Sequence, residues 1–273
     1  MTGAGPRSAA LPMYDLPELQ AANDMLWAAI AARLDAAGVD RVPRRLTRGE
    51  PLDTVWSDPD LLLAQTCGYP LTTILRGRVG LVATPHYRAE GCDGPLHRSV
   101  VVVRVDSPAA VLGDLRGARC AINGLASNTG MNLLRYEIAA LAGGEPYFGG
   151  ILMTGGHAAS ADAVASGEAD VAAIDCVTWA HLQRLRPAAV RRLRVLGWTV
   201  TTPALPMITS ARSPLMLRAV LADALADVAR DPALREVRAE LLLDGFSQLA
   251  LFRYEAILTL EAFAVSKGYP ILR

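Results

Sequence analysis

Along this chain, short apolar runs alternate with longer stretches whose apolar residues recur every three or four positions. "DLLLAQ", "RVGLVATPHY", "RSVVVVRVDS", "DLRGARCAIN", "DVAAID" and "RLRVLGWT" each contain a run of the length and residue type of a buried strand. "AALPMY", "VPRRLTRG", "YFGGILMTG" and "PALPMITS" predict further short strands. "PELQAANDMLWAAIAARLDAAG" predicts a helix stopped by Gly38, and "SPLMLRAVLADALADVARD" a helix entered through a Ser-Pro pair. "SADAVASGEA" and "CVTWAHLQRLR" predict two more, and beyond "PALPMITS" the chain reads mostly as helix. Strand and helix in alternation predict an α/β protein with largely parallel strands. No repeat, low-complexity tract or long flexible linker interrupts the pattern. If there are two lobes, strands must therefore carry the chain between them.

Composition narrows what such a chain can do. Its 273 residues suffice for one large domain or two ordinary lobes, and 52% hydrophobic against 20% charged residues excludes a disordered chain. The 27 basic residues cancel the 27 acidic ones and form no stripe, so no footprint for nucleic acid is visible. "SVVVVRV" and "ELLLDGF" are broken by charge well short of the ~20 apolar residues that cross a bilayer, so membrane insertion is not expected. The opening "MTGAGPRSAALPMYDLPELQ" has an arginine but no apolar core before Pro12 and Asp15, unlike a secretory signal. Either the protein stays in the cytosol or this chain is not the whole precursor. Cys67, Cys92, Cys120 and Cys176 have no C-x-x-C spacing. Buried free thiols are expected, with a Cys67–Cys92 bridge open only in an oxidising compartment.

The stretch "INGLASNTGMNLLRYEIAAL" places Asn123, Gly124, Ser127, Asn128, Thr129 and Gly130 between a strand end and an amphipathic helix over 128–142. One Ser, Asn or Thr would suffice to cap the helix. Several together, with glycines that let a visitor approach the backbone, also make a receptor for an anionic oxygen. Both readings stay open on these residues alone.

The order "DLRGARCAINGLASNTG", "GGHAASADAVASGEADVAAID" and a late "PALPMITS" resembles the substrate-binding proteins of phosphate, phosphite and phosphonate ABC transporters. The resemblance covers roughly residues 11 to 245, with "MYDLPEL" and "QTCGYPL" fitting its first lobe. It implies the type II periplasmic-binding-protein fold, two α/β lobes joined by two crossover strands and hinged over a ligand. On this chain that puts residues 1–100 and 203–273 in one lobe and 101–202 in the other. It further implies that Ser127, Asn128 and Thr129 grip the oxyanion, although Asn128 departs from the usual run of serines and threonines.

His157 in "TGGHAAS" matches the family's Gly-x-His step and would donate to a ligand oxygen; on its own it reads as a surface or capping residue. Asp175 ends a strand where ligands bind in open α/β sheets. It reads equally as an N-cap for "CVTWAHL" or as an acceptor that favours a P–OH over a fully ionised oxyanion. Tyr14 and Tyr69 follow first-lobe strands and would offer an apolar face and a phenolic donor; packing at a loop is the alternative. Gln65, Arg98, Ser99 and Trp179 are weaker candidates.

No G-x-S-x-G elbow, Walker A loop, H-E-x-x-H or G-x-G-x-x-G after a strand is present, and nothing pairs Cys67 with His86 or His97. The resemblance implies a small oxyanion ligand, a membrane permease as partner, and no metal or organic cofactor. The rival reading is a cytosolic enzyme on the same fold, such as those of menaquinone and thiamine-pyrimidine biosynthesis, which the lack of a signal favours. Against it, His157 and Asp175 form no acid–base constellation with a third group. A regulatory binding module is a third reading.

Overall fold

In the computed structural model, which describes residues 7–273, most apolar runs become strands and most periodic stretches become helices. The first segment gives β1 (Ser8–Ala10), α1 (Gln20–Ala36), α2 (Leu52–Trp56), β2 (Leu61–Gln65), α3 (Gly68–Thr72) and β3 (Val79–Tyr87). The middle gives β4 (Leu96–His97), β5 (Ser99–Arg104), β6 (Arg119–Ile122), a π-turn (Asn128–Asn132), α4 (Leu133–Ala142), β7 (Gly150–Met153) and α5 (His157–Ser166). It continues through β8 (Val171–Asp175), α6 (Cys176–Leu185), α7 (Pro187–Val190), β9 (Leu193–Trp198) and β10 (Thr202–Pro203). Last come β11 (Met207–Ser210), α8 (Leu215–Arg230), α9 (Arg235–Glu240), β12 (Leu243–Ser247) and α10 (Ala256–Ser266). Among the described residues no helix is long and apolar enough to cross a membrane. Residues 1–6, part of the opening without a leader-like apolar core, lie outside the described residues.

The chain divides into two compact units, Met1–Arg88 with Pro203–Arg253, and Ala89–Thr202 with Tyr254–Arg273. In the first, the sheet order is β1-β2-β11-β3-β12. Its second strand, β2, is buried throughout, with Leu61, Leu62 and Leu63 inaccessible to solvent. α1 places Leu26, Trp27, Ile30 and Leu34 on one face, three or four apart, and buries them. Each such side chain contributes about 1.5–3 kcal/mol when fully removed from water. Trp27 can be buried because its indole N–H donates to the Pro43 carbonyl at 3.0 Å.

In the second unit the order is β7-β6-β8-β5-β9. Val100 and Val102 of β5, Ala172 and Ile174 of β8, and Val164 of α5 form one buried cluster with Trp179 of α6. α10 lies against α4, and the backbone N–H groups of Tyr147 and Phe148 donate to the Arg273 carbonyl at 2.7 and 3.0 Å.

Four expectations change. The sheets are mixed, with β11 antiparallel to β2 and β3, and β5 antiparallel to β8 and β9. β5 follows the passage after Arg88 and β11 the passage after Thr202, so neither is reached through the local helical crossover that parallel neighbours require. "VPRRLTRG" forms no strand: Pro43 has no N–H to give a ladder, and Thr47 makes one bond to Ala9. "AALPMY" stops as a strand at Ala10, where Pro12 opens a 3-10 turn. Finally, the tail is mostly helix, as expected, but it carries one more strand and its lobe assignment changes. β12 pairs with β3, and Tyr254–Arg273 packs with the second unit, not with the first lobe as expected; the first boundary falls at 88 instead of 100.

Candidate functional site

After β6 the chain turns at Ser127, whose hydroxyl accepts from the Gly130 N–H at 2.9 Å. This is the expected cap. The turn behind it is wider than an α-helix. The Asn132 N–H reaches the Ser127 carbonyl at 3.0 Å and the Leu133 N–H the Asn128 carbonyl, each five residues back. Its inner side is held by a ladder of side chains whose direction follows from chemistry. Arg135 can only donate, so the oxygen of Asn132 receives its Nη2 at 2.6 Å. The Asn132 amide nitrogen then donates to Asn128 Oδ1 at 3.1 Å, and Asn128 Nδ2 to Thr202 Oγ1 at 2.9 Å. Arg135 also donates to the Pro270 carbonyl at 2.7 Å and lies 3.4 Å from Glu261. Asn128 is fully buried, with both ends of its amide engaged in this ladder.

Gly130 is required where it stands. A methyl group there would collide with the side-chain oxygen of Asn123 and lie 3.0 Å from Cε1 of His157.

His157 opens α5 and touches this turn. Its Nε2 lies 3.0 Å from Thr129 Oγ1, while its Nδ1 accepts the backbone N–H of Asp175 at 3.4 Å. The ring also bonds the Ala173 backbone, so its two nitrogens serve Thr129, Ala173 and Asp175 together. Burial lowers the His157 pKa, outweighing the nearby Asp175 charge, and this favours the neutral ring. The Thr129 carbonyl meanwhile receives Ser99 Oγ at 2.8 Å.

Asp175 is 1% exposed. One carboxylate oxygen caps α6, accepting from the N–H groups of Val177 and Thr178 at 2.9 and 3.1 Å; the other lies 3.0 Å from Nδ1 of the equally buried His97. Burial alone would raise its pKa, but His97, His157 and the Thr178 N–H hold it below the usual carboxylate range.

In the first unit, Tyr14 is buried with its ring edge-on to Tyr87, centroids 5.0 Å apart. Gln65 is buried and donates to the Tyr87 hydroxyl at 3.0 Å. Tyr14, Gln65, Tyr87, Met207 and Phe246 line part of a cavity of about 30 Å³, room for a water molecule or two. Tyr69 lies half-buried in the first turn of α3. Of the weaker candidates, Arg98 stacks over Trp198 at 4.5 Å, and Trp179 belongs to the core. Cys67 lies in the first unit and Cys92 in the second, where the Cys92 sulfur faces Cys176 instead.

The second unit thus brings Ser127, Asn128, Thr129, His157 and Asp175 into one hydrogen-bonded group. Sequence reasoning did not assign His97, Asn132, Arg135 or Thr202 to it. The spacing of Asn128, Asn132 and Arg135, four then three apart along the helical segment, was a readable sign of one polar face.

No curated protein matches the sequence significantly. Solved structures share the fold at low identity. A binding-protein component of an ABC phosphonate transporter from Pseudomonas aeruginosa has a TM-score of 0.76 and 16% identity, over 97% of this chain and 88% of that one. PhnD1 from Prochlorococcus marinus, in complex with methylphosphonate, gives 0.74 and 15%, over 96% and 98%. A Xanthomonas citri protein bound to ATP gives 0.71 and 18%, over 97% and 98%. The architecture is the type II periplasmic-binding-protein fold, two lobes of mixed α/β structure. The sequence model of the periplasmic substrate-binding proteins of phosphonate ABC transporters matches residues 60–251, well over half of the chain. The chain therefore belongs to that family.

Proposed function

We propose that this chain captures a small tetrahedral oxyanion of the phosphonate or phosphate class, by equilibrium binding without turnover, and presents it to an ABC permease. The head group would lie on the turn at Ser127–Gly130. Three kinds of donor serve it there: amides opening the helical segment, which lack intrahelical acceptors, the hydroxyls of Ser127 and Thr129, and the edge of His157. Asn128 and Asp175 hold the turn and the histidine in place; they are assigned to support and not to ligand contact.

One observation carries the reading. The Ser127 hydroxyl accepts from the Gly130 N–H and so keeps its own proton, and beside it Thr129 Oγ1 and His157 Nε2 stand 3.0 Å apart. A hydroxyl that accepts from the protein and keeps a proton to donate, next to a hydroxyl–imidazole pair, suits an acceptor-only ligand. The enzyme reading draws no comparable support, since Asp175 is occupied by α6 and His97.

The test is thermal unfolding with phosphate, phosphite, methylphosphonate, sulfate and simple carboxylates. A ligand at ~100 times its dissociation constant adds about 2.7 kcal/mol. Stabilisation by a phosphorus oxyanion supports the proposal, and an unchanged unfolding temperature across the series overturns it.

A further inference from the structure

The four cysteines are free thiols, and two of them stand face to face in the second unit. Cys92 Sγ and Cys176 Sγ are 3.5 Å apart. The loop that carries Cys92 is pinned from several sides. Its N–H donates to the Ala89 carbonyl at 3.0 Å, and Asp93 and Leu96 exchange two backbone bonds just beyond it. Gly91 adopts φ +94°, and a side chain there would run into the Trp198 ring and lie 3.0 Å from Cys176 Cβ. Cys176 is fixed in turn as the first residue of α6, directly after the capping Asp175.

We propose that Cys92 and Cys176 are a disulfide site, oxidised by exchange with a low-molecular-weight disulfide. The sulfurs need to close by only about 1.5 Å to reach bonding distance near 2.05 Å. Cys92 is half-buried and reachable, while Cys176 is buried. The Cys92 contact, burial and the Asp175 charge all raise the Cys176 pKa, so Cys92 is the thiol that starts the exchange.

Cys92 loses its proton to solvent, and its thiolate attacks one sulfur of the small disulfide. That bond breaks, one small thiol leaves, and a mixed disulfide remains on Cys92. Cys176 then gives up its proton and attacks Cys92 Sγ, expelling the second small thiol. The two protein thiols are oxidised by two electrons and the small disulfide is reduced by two. The product closes the chain across a separation of 84 residues and ties the 89–96 loop to the start of α6. This proposal stands independently of the anion reading.

The reduced full-length chain, incubated natively with oxidised glutathione, freed of it and then unfolded in excess alkylating agent, tests it. Free thiols should fall from four to two, with the Cys92 peptide linked to the Cys176 peptide and both Cys67 and Cys120 alkylated. The unfolding temperature should rise by roughly 5–15 °C. Cys92→Ser should keep its three remaining thiols and show no rise. Persistence of four thiols, linkage through Cys67 or Cys120, a lasting glutathione adduct on Cys92, or thiol loss in Cys92→Ser would each overturn the assignment.

Discussion

Ser127 shows how one hydroxyl can cap a helix and still bind. Its oxygen accepts from Gly130, while its own proton has no part in that bond. Ser127→Ala therefore mixes two effects, with about 1 kcal/mol of stability going with the cap. Thr129→Val is the cleaner probe, since it keeps the volume and removes only the hydroxyl that faces His157. A hydrogen bond to a charged group contributes about 1.5–3 kcal/mol, so affinity for the best phosphorus oxyanion should fall roughly ten- to hundredfold by calorimetry. Unaltered affinity would remove Thr129 from the site. A second prediction concerns His181, inaccessible in α6, whose pKa is lowered to about 4, chiefly by burial and then by Arg184, with Asp175 opposing. The unfolded chain regains a value near 6.5, so between those values it binds more protons than the native one. Stability is retained above pH 6.5 and lost as the pH falls toward 4, by about 3 kcal/mol for this group. The depressed His157 acts with the same sign. Urea unfolding at pH 7 and pH 4.5 should show the loss, and His181→Gln should reduce it.

Among the elements, the helix after the anion turn carries the clearest mixture of what the sequence disclosed and what it did not. A helix over 128–142 was legible from its periodicity, but its first turn is wound more widely, because Asn128 and Asn132 are drawn inward to Thr202 and Arg135. The candidate residues Ser127, Thr129 and His157 were legible as a polar turn and a glycine-flanked histidine. The partners of Asp175 and Asn128 were not, since His97 and Thr202 approach from distant strands. β12 escaped for a related reason: "LDGFS" lacks a strand's alternation, and pairing with β3 overrides its weak propensity. The ladder itself can be tested. Asn132→Ala deprives Arg135 of an acceptor and Asn128 of a donor, so denaturant unfolding should show a loss of about 1–3 kcal/mol for each buried group left unsatisfied. Anion affinity should fall with it. Glu261→Gln, at the partly exposed end of the ladder, should alter stability by less than about 1 kcal/mol.

At the scale of the molecule, the chain passes between its two units after Arg88, after Thr202 and after Arg253. The third passage was hidden in the sequence because "AILTLEAFAVS" is apolar nearly all round and does not say which sheet it covers. The structure sets α10 against α4, with Ile257 and Ala264 inaccessible and the Ile257 carbonyl receiving Asn132 at 3.4 Å. A fragment of residues 89–202 is therefore expected to be loosely packed and readily proteolysed, and one that adds 254–273 through a short linker to resist. Equal resistance would show that α10 contributes little. The strand order has one more consequence, for synthesis on the ribosome. β11 fills the place between β2 and β3, yet it is made only after β5 to β9 have all emerged. Domains fold as units once their chain is available. The half whose residues leave the exit tunnel first is thus the later one to complete its sheet.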